Sequence, residues 1–405
     1  PAATRTRGLM SDQQRGVPQV LLGDLGGTNV RFTLVPASRT GGTLPPETHH
    51  ARYRTASFAH LREALAKFRC EAPTDVGRIV CGVLSVCGPV NDGRAICLAE
   101  SMGASGWTLE EDDLGTALGC TVKLLNDFIA VGLAVGSCNW RCDAPEKLIT
   151  IHHPGGLEEA RGTIAVLGPG TGLGSCFGVR ASSASSAAGP PELQIFPSEG
   201  GESDFVPRSD FEWRLRQHLA SALGTAHVKV EHVVSASGIA RIYHYLRSGA
   251  AATGAAATVD PGGGAAAAMD AVDAEVRAAE DPSAVVAAHG ARGEPGAEPL
   301  CVAAMEAFLD ALGAEAANLA LRFQAQGGVF LAGGIAAKLA RHLTSADGTA
   351  ATRLRAAYLG KGRSVEAYRA CPLHVVAVEG DRLALEGVWR FFCAQRRVQL
   401  PACAT

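Results

Sequence analysis

Gly23-Asp24-Leu25-Gly26-Gly27-Thr28-Asn29 sits between two apolar runs, Val20 to Leu22 and Val30 to Val35. β-Branched and large apolar residues on both sides read as strands, and a glycine pair between short polar residues reads as the turn joining them. The segment is therefore predicted to be a β-hairpin with a tip of bare backbone. Gly26 and Gly27 present no side chain to an approaching anion and tolerate positive φ, which would let successive N–H groups converge on it. Asp24 stands at the strand end, where a carboxylate beside polyphosphate needs a divalent cation between them, reached through its water shell. Glycines plus acid point to Mg-ATP. An ordinary glycine-rich hairpin with a solvent-exposed Asp is the competing reading. A dinucleotide-binding turn is disfavoured, because the G-x-G-x-x-G spacing is absent and the glycines lead into a strand.

Residues 163 to 179 repeat this architecture. Ile164 to Leu167 and Cys176 to Val179 flank Gly168-Pro169-Gly170-Thr171-Gly172-Leu173-Gly174. Two glycine hairpins about 140 residues apart suit two related domains that close over one nucleotide from opposite sides. A third glycine pair, Gly333-Gly334, follows the buried-strand pattern Val329 to Ala332, where bare backbone could lie against an adenine or simply allow close packing.

Between the hairpins, Val122 to Leu125 reads as a short strand that delivers Asn126-Asp127 into the apolar segment Phe128 to Val135. Asp127 then stands at a helix N-terminus, either as an ordinary cap or as a fixed carboxylate at the rim of an α/β sheet, where ligands of such folds gather. Glu199-Gly200-Gly201-Glu202 follows the strand-like Leu193 to Phe196, and Glu231 precedes Val233-Val234. Exposed acids commonly only solubilise, but carboxylates also match polyols, whose hydroxyls donate to anionic oxygens.

The remaining pattern is helical. Capped helices are expected after Ser57, after Thr108 with Glu111, and after Ser209 with Glu212. A long one over Cys301 to Gln326 should end at Gly327-Gly328. The Ser/Ala run near 181–190 and the Ala/Gly/Pro-rich stretch 249–299 read as low-complexity insertions, with weak helix over Met269 to Ala288.

With 47% hydrophobic residues over 405 positions, the chain can bury a core large enough for two domains. Its 37 basic and 40 acidic residues leave a net charge of -3, so no basic excess is available for nucleic acid or an acidic membrane surface. No run of about 18 apolar residues suggests a membrane span. The 12 cysteines are scattered among apolar neighbours, which favours reduced thiols in the cytoplasm or, alternatively, an organelle matrix (glycosome- or peroxisome-like, mitochondrial or plastid). Cys138 and Cys142, with His152 and His153 beyond, make only half of a zinc pattern.

In order and spacing, GDLGGTN, the LLNDF of Leu124 to Phe128, LGPGTGLG, PSEGGESDF and FLAGGI resemble the bacterial-type glucokinases of the actin-like sugar-kinase superfamily. The likeness runs from about Val20 to Phe392. It implies a two-domain, ribonuclease H-like α/β fold with an interdomain cleft. A flexible tail over 1–19 would precede a small domain over 20–137, completed by a C-terminal helix over 381–397, and a large domain would span 138–380.

The resemblance further implies ATP-dependent phosphorylation of glucose at its 6-hydroxyl, the first step of glycolysis, with ATP and Mg2+ required and glucose as substrate. Asp127 would take the hydroxyl proton, and Asn126, Glu199, Glu202 and Glu231 would surround the sugar. Asp24, Gly26, Gly27, Thr28, Asn29, Gly170, Thr171, Gly172, Gly333 and Gly334 would bind ATP: Gly26, Gly27, Thr28, Gly170 and Thr171 would cradle its phosphates, Asp24 would serve magnesium through water, and Gly333 and Gly334 would border the adenosine. A homodimer is compatible with the sequence and not required by it. The alternatives are a kinase for another hexose or amino sugar, as in the repressor/kinase (ROK) group, and a non-catalytic sugar sensor on the same fold. The ROK Cys-rich motif and Glu-x-Gly-His element are not seen, and Asp24 with Asp127 favours turnover over mere binding.

Two departures stand out. Glu202 occupies the place of a family His that contacts the sugar, and an ionised carboxylate accepts hydrogen bonds where an imidazole can donate them. Sugar recognition is therefore expected to be weakened or altered. Ser235-Ala236-Ser237-Gly238 replaces the family's Ser-Gly-Pro-Gly after Glu231.

Overall fold

The structure, a computed structural model, describes residues 16–37, 43–73, 76–99, 102–103, 105–138, 140, 144–153, 162–180, 193–249, 263–290, 298–344 and 348–399. Most of the N-terminal tail, the insertion near 181–190, parts of 249–299 and Cys142 lie outside the described residues. The chain divides into two units: one runs to Ala130 and resumes at Ala384, and the other spans Val131–Leu383.

In the first unit, β1 (Gln19–Leu25), β2 (Asn29–Pro36) and β3 (His49–Arg54) form an antiparallel meander. After α1 (Leu61–Glu71), β4 (Ile79–Val86) joins β1 in parallel. A small sheet of β5 (Val90–Asn91), β6 (Arg94–Cys97) and β7 (Trp107–Glu110) then leads through α2 (Glu111–Leu118) to β8 (Thr121–Asn126), parallel to β4, and to α3 (Asp127–Ser137). The main sheet has the order β3-β2-β1-β4-β8.

Both faces of this sheet are covered, which is why β1 reads as nearly continuous hydrophobic sequence rather than an alternation. Leu21 and Leu25 pack on one side with Phe32, Leu65, Phe68 and Leu118. Val20 and Leu22 pack on the other with Val83, Leu125 and the C-terminal helix Gly380–Gln399 through Leu385, Val388, Trp389 and Phe392. Gly387 permits that approach, since a Cβ there would overlap the carbonyl oxygen of Ala130.

Two helix starts differ from expectation. Ser57 ends a short 3-10 turn, and α1 begins only at Leu61, where the Glu63 carboxylate accepts from Ala59 N–H. Thr108 does not cap α2. Its β-branched side chain stays in β7 opposite Ile96, while the Glu111 carboxylate is drawn to Leu124 N–H and Lys123.

The second unit repeats the plan. β9 (Leu148–His152) is followed by the hairpin β10 (Ile164–Pro169) and β11 (Leu173–Arg180), and by β12 (Leu193–Ser198). Next come α4 (Asp210–Ala222), α5 (Ala236–Arg247), α6 (Gly263–Ala278), α7 (Pro282–His289) and α8 (Pro299–Phe323). β13 (Val329–Leu331), α9 (Gly334–Leu343), α10 (Thr349–Leu359) and β14 (Leu373–Val376) complete it. The sheet order is β12-β11-β10-β13-β14-β9, with β10, β13 and β14 parallel. The face of α8 read from the sequence, with Phe308, Leu312, Ala316 and Leu319, lies in one core with Ile242, Tyr243, Leu354 and Tyr358.

Ser209 caps α4 as expected, accepting from Glu212 N–H at 3.2 Å. The long helix α8 stops before its glycines, because Gln324 already takes a left-handed conformation at φ 47°. Within 249–299, the described residues 263–290 form α6 and α7: Asp281 caps α7 ahead of Pro282, splitting the expected weak helix into two, and Val276 and Val286 enter the core. Among the described residues, no helix is long and apolar enough to cross a membrane.

Candidate active site

In the first unit the parallel register aligns Asp24 with Ser85 and Val86 with Asn126. The carboxyl ends of β1, β4 and β8 therefore share one edge of the sheet, the edge at which open α/β sheets bind ligands. Asp24 and Asp127 stand there about two strand spacings apart, about 10 Å. The thiol of Cys87, one residue past β4, is raised above its ordinary pKa by a hydrogen bond with Cys97, by burial, and by the fields of Asp127 and Asp24.

Asp24 is buried and balanced. Arg31 donates to its Oδ2 at 2.8 Å and the Ser85 hydroxyl to its Oδ1 at 3.0 Å. Asn126 is fixed from both ends: its Nδ2 donates to Gly88 O at 3.1 Å, and its Oδ1 accepts Phe128 N–H at 2.9 Å. That same N–H also donates to Asp127 Oδ1 at 2.9 Å, so the first turn of α3 orients the carboxylate.

The loop Gly26-Gly27-Thr28 closes through Gly26 N–H to Asn29 O at 2.9 Å, and Thr55 clamps it by donating from Oγ1 to Gly26 O and from N–H to Thr28 O, both at 3.0 Å. Neither glycine adopts the left-handed conformation expected of an anion nest. Three residues held between paired strands and Thr55 turn the chain without it. Gly27 answers instead to space, since a Cβ there would lie 3.1 Å from Ala99 Cβ.

The second unit holds the other expected residues. In the loop Gly170-Thr171-Gly172, Gly170 N–H donates to Gly172 O at 2.9 Å, and Gly170 O accepts from Ala236 N–H, the first of α5, at 2.8 Å. Nothing within 4 Å would meet a Cβ on Gly170, whereas one on Gly172 would sit 2.7 Å from Glu231 Oε2. Glu231 lies in a 3-10 turn, Val230–His232, and Glu202 ends another, Gly200–Glu202. Ser235 secures the first: its hydroxyl donates to Glu231 O at 2.6 Å and accepts Gly238 N–H at 3.0 Å, capping α5.

Lys229, which sequence reasoning missed, joins these turns. Its Nζ reaches Glu202 Oε1 at 2.8 Å and Oε2 at 2.7 Å, with Glu231 Oε1 at 3.6 Å. Burial alone would lower the Lys229 pKa, but the two carboxylates outweigh it and hold the ammonium above its usual value. Glu199 is raised by burial first, then by Glu202 and Glu231. Two positions separate Lys229 from Glu231 in the chain, and no motif marks the contact. Gly333 precedes α9 with φ 96°, a conformation that favours glycine, and a Cβ on Gly380 would come within 3.1 Å of Gly334 N.

Among the described residues, no group of three or more His, Cys, Asp or Glu side chains is arranged to hold a metal ion. A cavity of about 280 Å³ in this unit, lined by Phe205, Glu212, Leu215 and Arg353 among others, takes in none of the expected site residues. Arg353 there is already bound by Asp310 and Glu306.

A sheet hairpin followed by parallel strands recurs in both units, and this two-unit α/β fold is shared with solved glucokinases and ROK sugar kinases. The structure superposes with a TM-score of 0.66 on a glucokinase from Balamuthia mandrillaris in complex with glucose, at 20% identity over 95% of both chains. It also matches a ROK family glucokinase from Streptomyces griseus in complex with glucose and AMPPNP, with a TM-score of 0.54, 16% identity and coverage of 91% of this chain and 98% of that one. In sequence, a glucokinase from a Nostoc species is 31% identical over 329 residues, 79% of this chain and 85% of that protein. The glucokinase family model matches residues 21–394. The chain belongs to the glucokinase family.

Proposed function

We propose that this chain transfers the terminal phosphoryl group of ATP to the 6-hydroxyl of glucose, with Asp127 as the base. The observation that carries the reading is the family match over residues 21–394, which takes in both glycine hairpins, Asp127 and the three glutamates. The ATP analogue and glucose held by the Streptomyces griseus protein and the glucose held by the Balamuthia one support the choice of substrates.

In the proposed reaction the sugar O6 forms a bond to the terminal phosphorus as the bond from that phosphorus to the bridging oxygen breaks. ADP carries away the electron pair, and the O6 proton passes to the Asp127 carboxylate. Phosphoryl transfer has a loose transition state, so alignment and charge neutralisation supply most of the acceleration. Phe128 N–H fixes the orientation of Asp127, and the Asn126 side chain, held by Gly88 O, stands beside it for a second sugar contact. Glu199 and Glu231 accept from other hydroxyls, and the loops Gly26–Asn29 and Gly170–Gly172 receive the phosphates on main chain. Gly333 and Gly334 border the adenosine.

The donor set at Asp24 suits an indirect metal role. A carboxylate already paired with Arg31 and Ser85 is better placed to hold a hydrated Mg2+ through water than to coordinate it directly. When bound with the nucleotide, Mg2+ supplies neutralisation of the phosphate charge.

The test is a coupled assay of the purified protein with Mg-ATP against a panel of hexoses, repeated with Asp127→Asn. Glucose should give the largest kcat/KM and the variant should lose turnover. Near-normal kcat in the variant would refute the base assignment.

A further inference from the structure

The Lys229 ammonium links the carboxylates of Glu202 and Glu231, and the fields of these two acids, after burial, raise the pKa of Glu199. Lys229 is the cation set among them, bidentate on Glu202 and 3.6 Å from Glu231, with its side chain 27% exposed. A carboxylate accepts from an ammonium more strongly than from a hydroxyl, so an acid cluster with no cation of its own would favour a positively charged ligand. A tethered lysine satisfies that demand at high effective concentration, ahead of any free cation. Each carboxylate has about four acceptor sites, so the hydroxyls of a neutral sugar can still be received.

Resting on the hexose reading given above, we propose that Lys229 is a specificity-determining residue. Its ammonium occupies the place at which the ammonium of an amino sugar would bind between Glu202 and Glu231, and so directs the subsite to neutral hexoses. Glu202 is part of this device, because it anchors the lysine over the acids. A lysine that merely tied two turns together would affect all sugars alike.

The experiment compares kcat/KM for glucose and glucosamine at a pH of about 6.5, where a sugar amine is largely protonated. Lys229→Met should raise the glucosamine-to-glucose ratio about tenfold, the size of one charge-assisted hydrogen bond. Lys229→Arg, which restores the cation, should stay within about twofold of the parent. An unchanged ratio in Lys229→Met, with both sugars losing equally, overturns the proposal. Should that variant fail to fold, Lys229→Gln decides: it keeps a polar side chain without the charge, so the ratio should rise as in Lys229→Met, and an unchanged ratio overturns the proposal. If the parent protein phosphorylates no hexose, the kinase reading fails by itself. The charge argument is then settled by calorimetric binding of the two sugars to the parent and to Lys229→Met, with the same direction expected and the same null result overturning it.

Discussion

The carboxylate of Glu231 accepts the backbone N–H of Leu173 at 3.3 Å, tying an acid proposed to hold the sugar to the strand that leaves the second glycine hairpin. The same oxygen is what a Cβ on Gly172 would strike. Gly172→Ala should therefore displace Glu231 and raise the KM for glucose about tenfold, the loss expected of one hydrogen bond to a charged group. Steady-state kinetics with each substrate varied in turn would check this, and a change confined to ATP would contradict it.

Asp127→Asn preserves an acceptor for Phe128 N–H and removes the basic oxygen. The expected loss in kcat is about 10² to 10⁴-fold, with affinity for an ATP analogue kept within about twofold. Turnover assays beside equilibrium titration separate the two effects.

The dependence on pH follows from Glu199. Ionised, it accepts from hydroxyls with both oxygens in charge-assisted bonds, which protonation weakens, and burial together with Glu202 and Glu231 raises its pKa. The acid limb of kcat/KM for glucose should then lie above the usual glutamate range, with activity falling as pH drops through it. Glu202→Gln removes one of the charges that raise Glu199, so the limb should move to lower pH. A limb that stays put or moves upward would argue against this assignment.

Arg31→Met tests the balance at Asp24. The two side chains are 11% and 12% exposed, so removing the guanidinium takes a close positive charge from a nearly buried carboxylate. Urea unfolding should show a loss of about 3 kcal/mol, and adding Asp24→Asn should recover part of it. Asp24→Asn alone should raise the Mg2+ concentration needed for half-maximal rate.

Gly387→Ala addresses the C-terminal helix. The added methyl overlaps the Ala130 carbonyl and forces that helix away from α3, at a cost of about 1–3 kcal/mol. Thermal melting of the variant should show the drop directly.

Local chemistry made much of this protein legible from its residues alone. Apolar runs around Gly26-Gly27 and around Gly170-Thr171-Gly172 predict two hairpins, and both are present, because strand pairing and a short glycine loop are decided within about twenty residues. The strand-to-helix turn that sets Asp127 at the start of α3 was equally readable. Helix starts at Ser57 and Thr108 were misread, since capping pattern is a weak signal beside strand pairing and the pull of distant partners such as Leu124.

What the tertiary structure decided is how charges find each other. Arg31 meets Asp24 because β2 folds back antiparallel on β1, and Cys87 comes into the fields of Asp24 and Asp127 because β4 lies between β1 and β8. Lys229 reaches Glu202, 27 positions earlier in the chain, only when two 3-10 turns are brought side by side. Sequence carries hydrophobic period and turn chemistry, which act over one element. Pairing between side chains depends on strand order and register, which are set by burying whole sheets and exist only once the chain has folded.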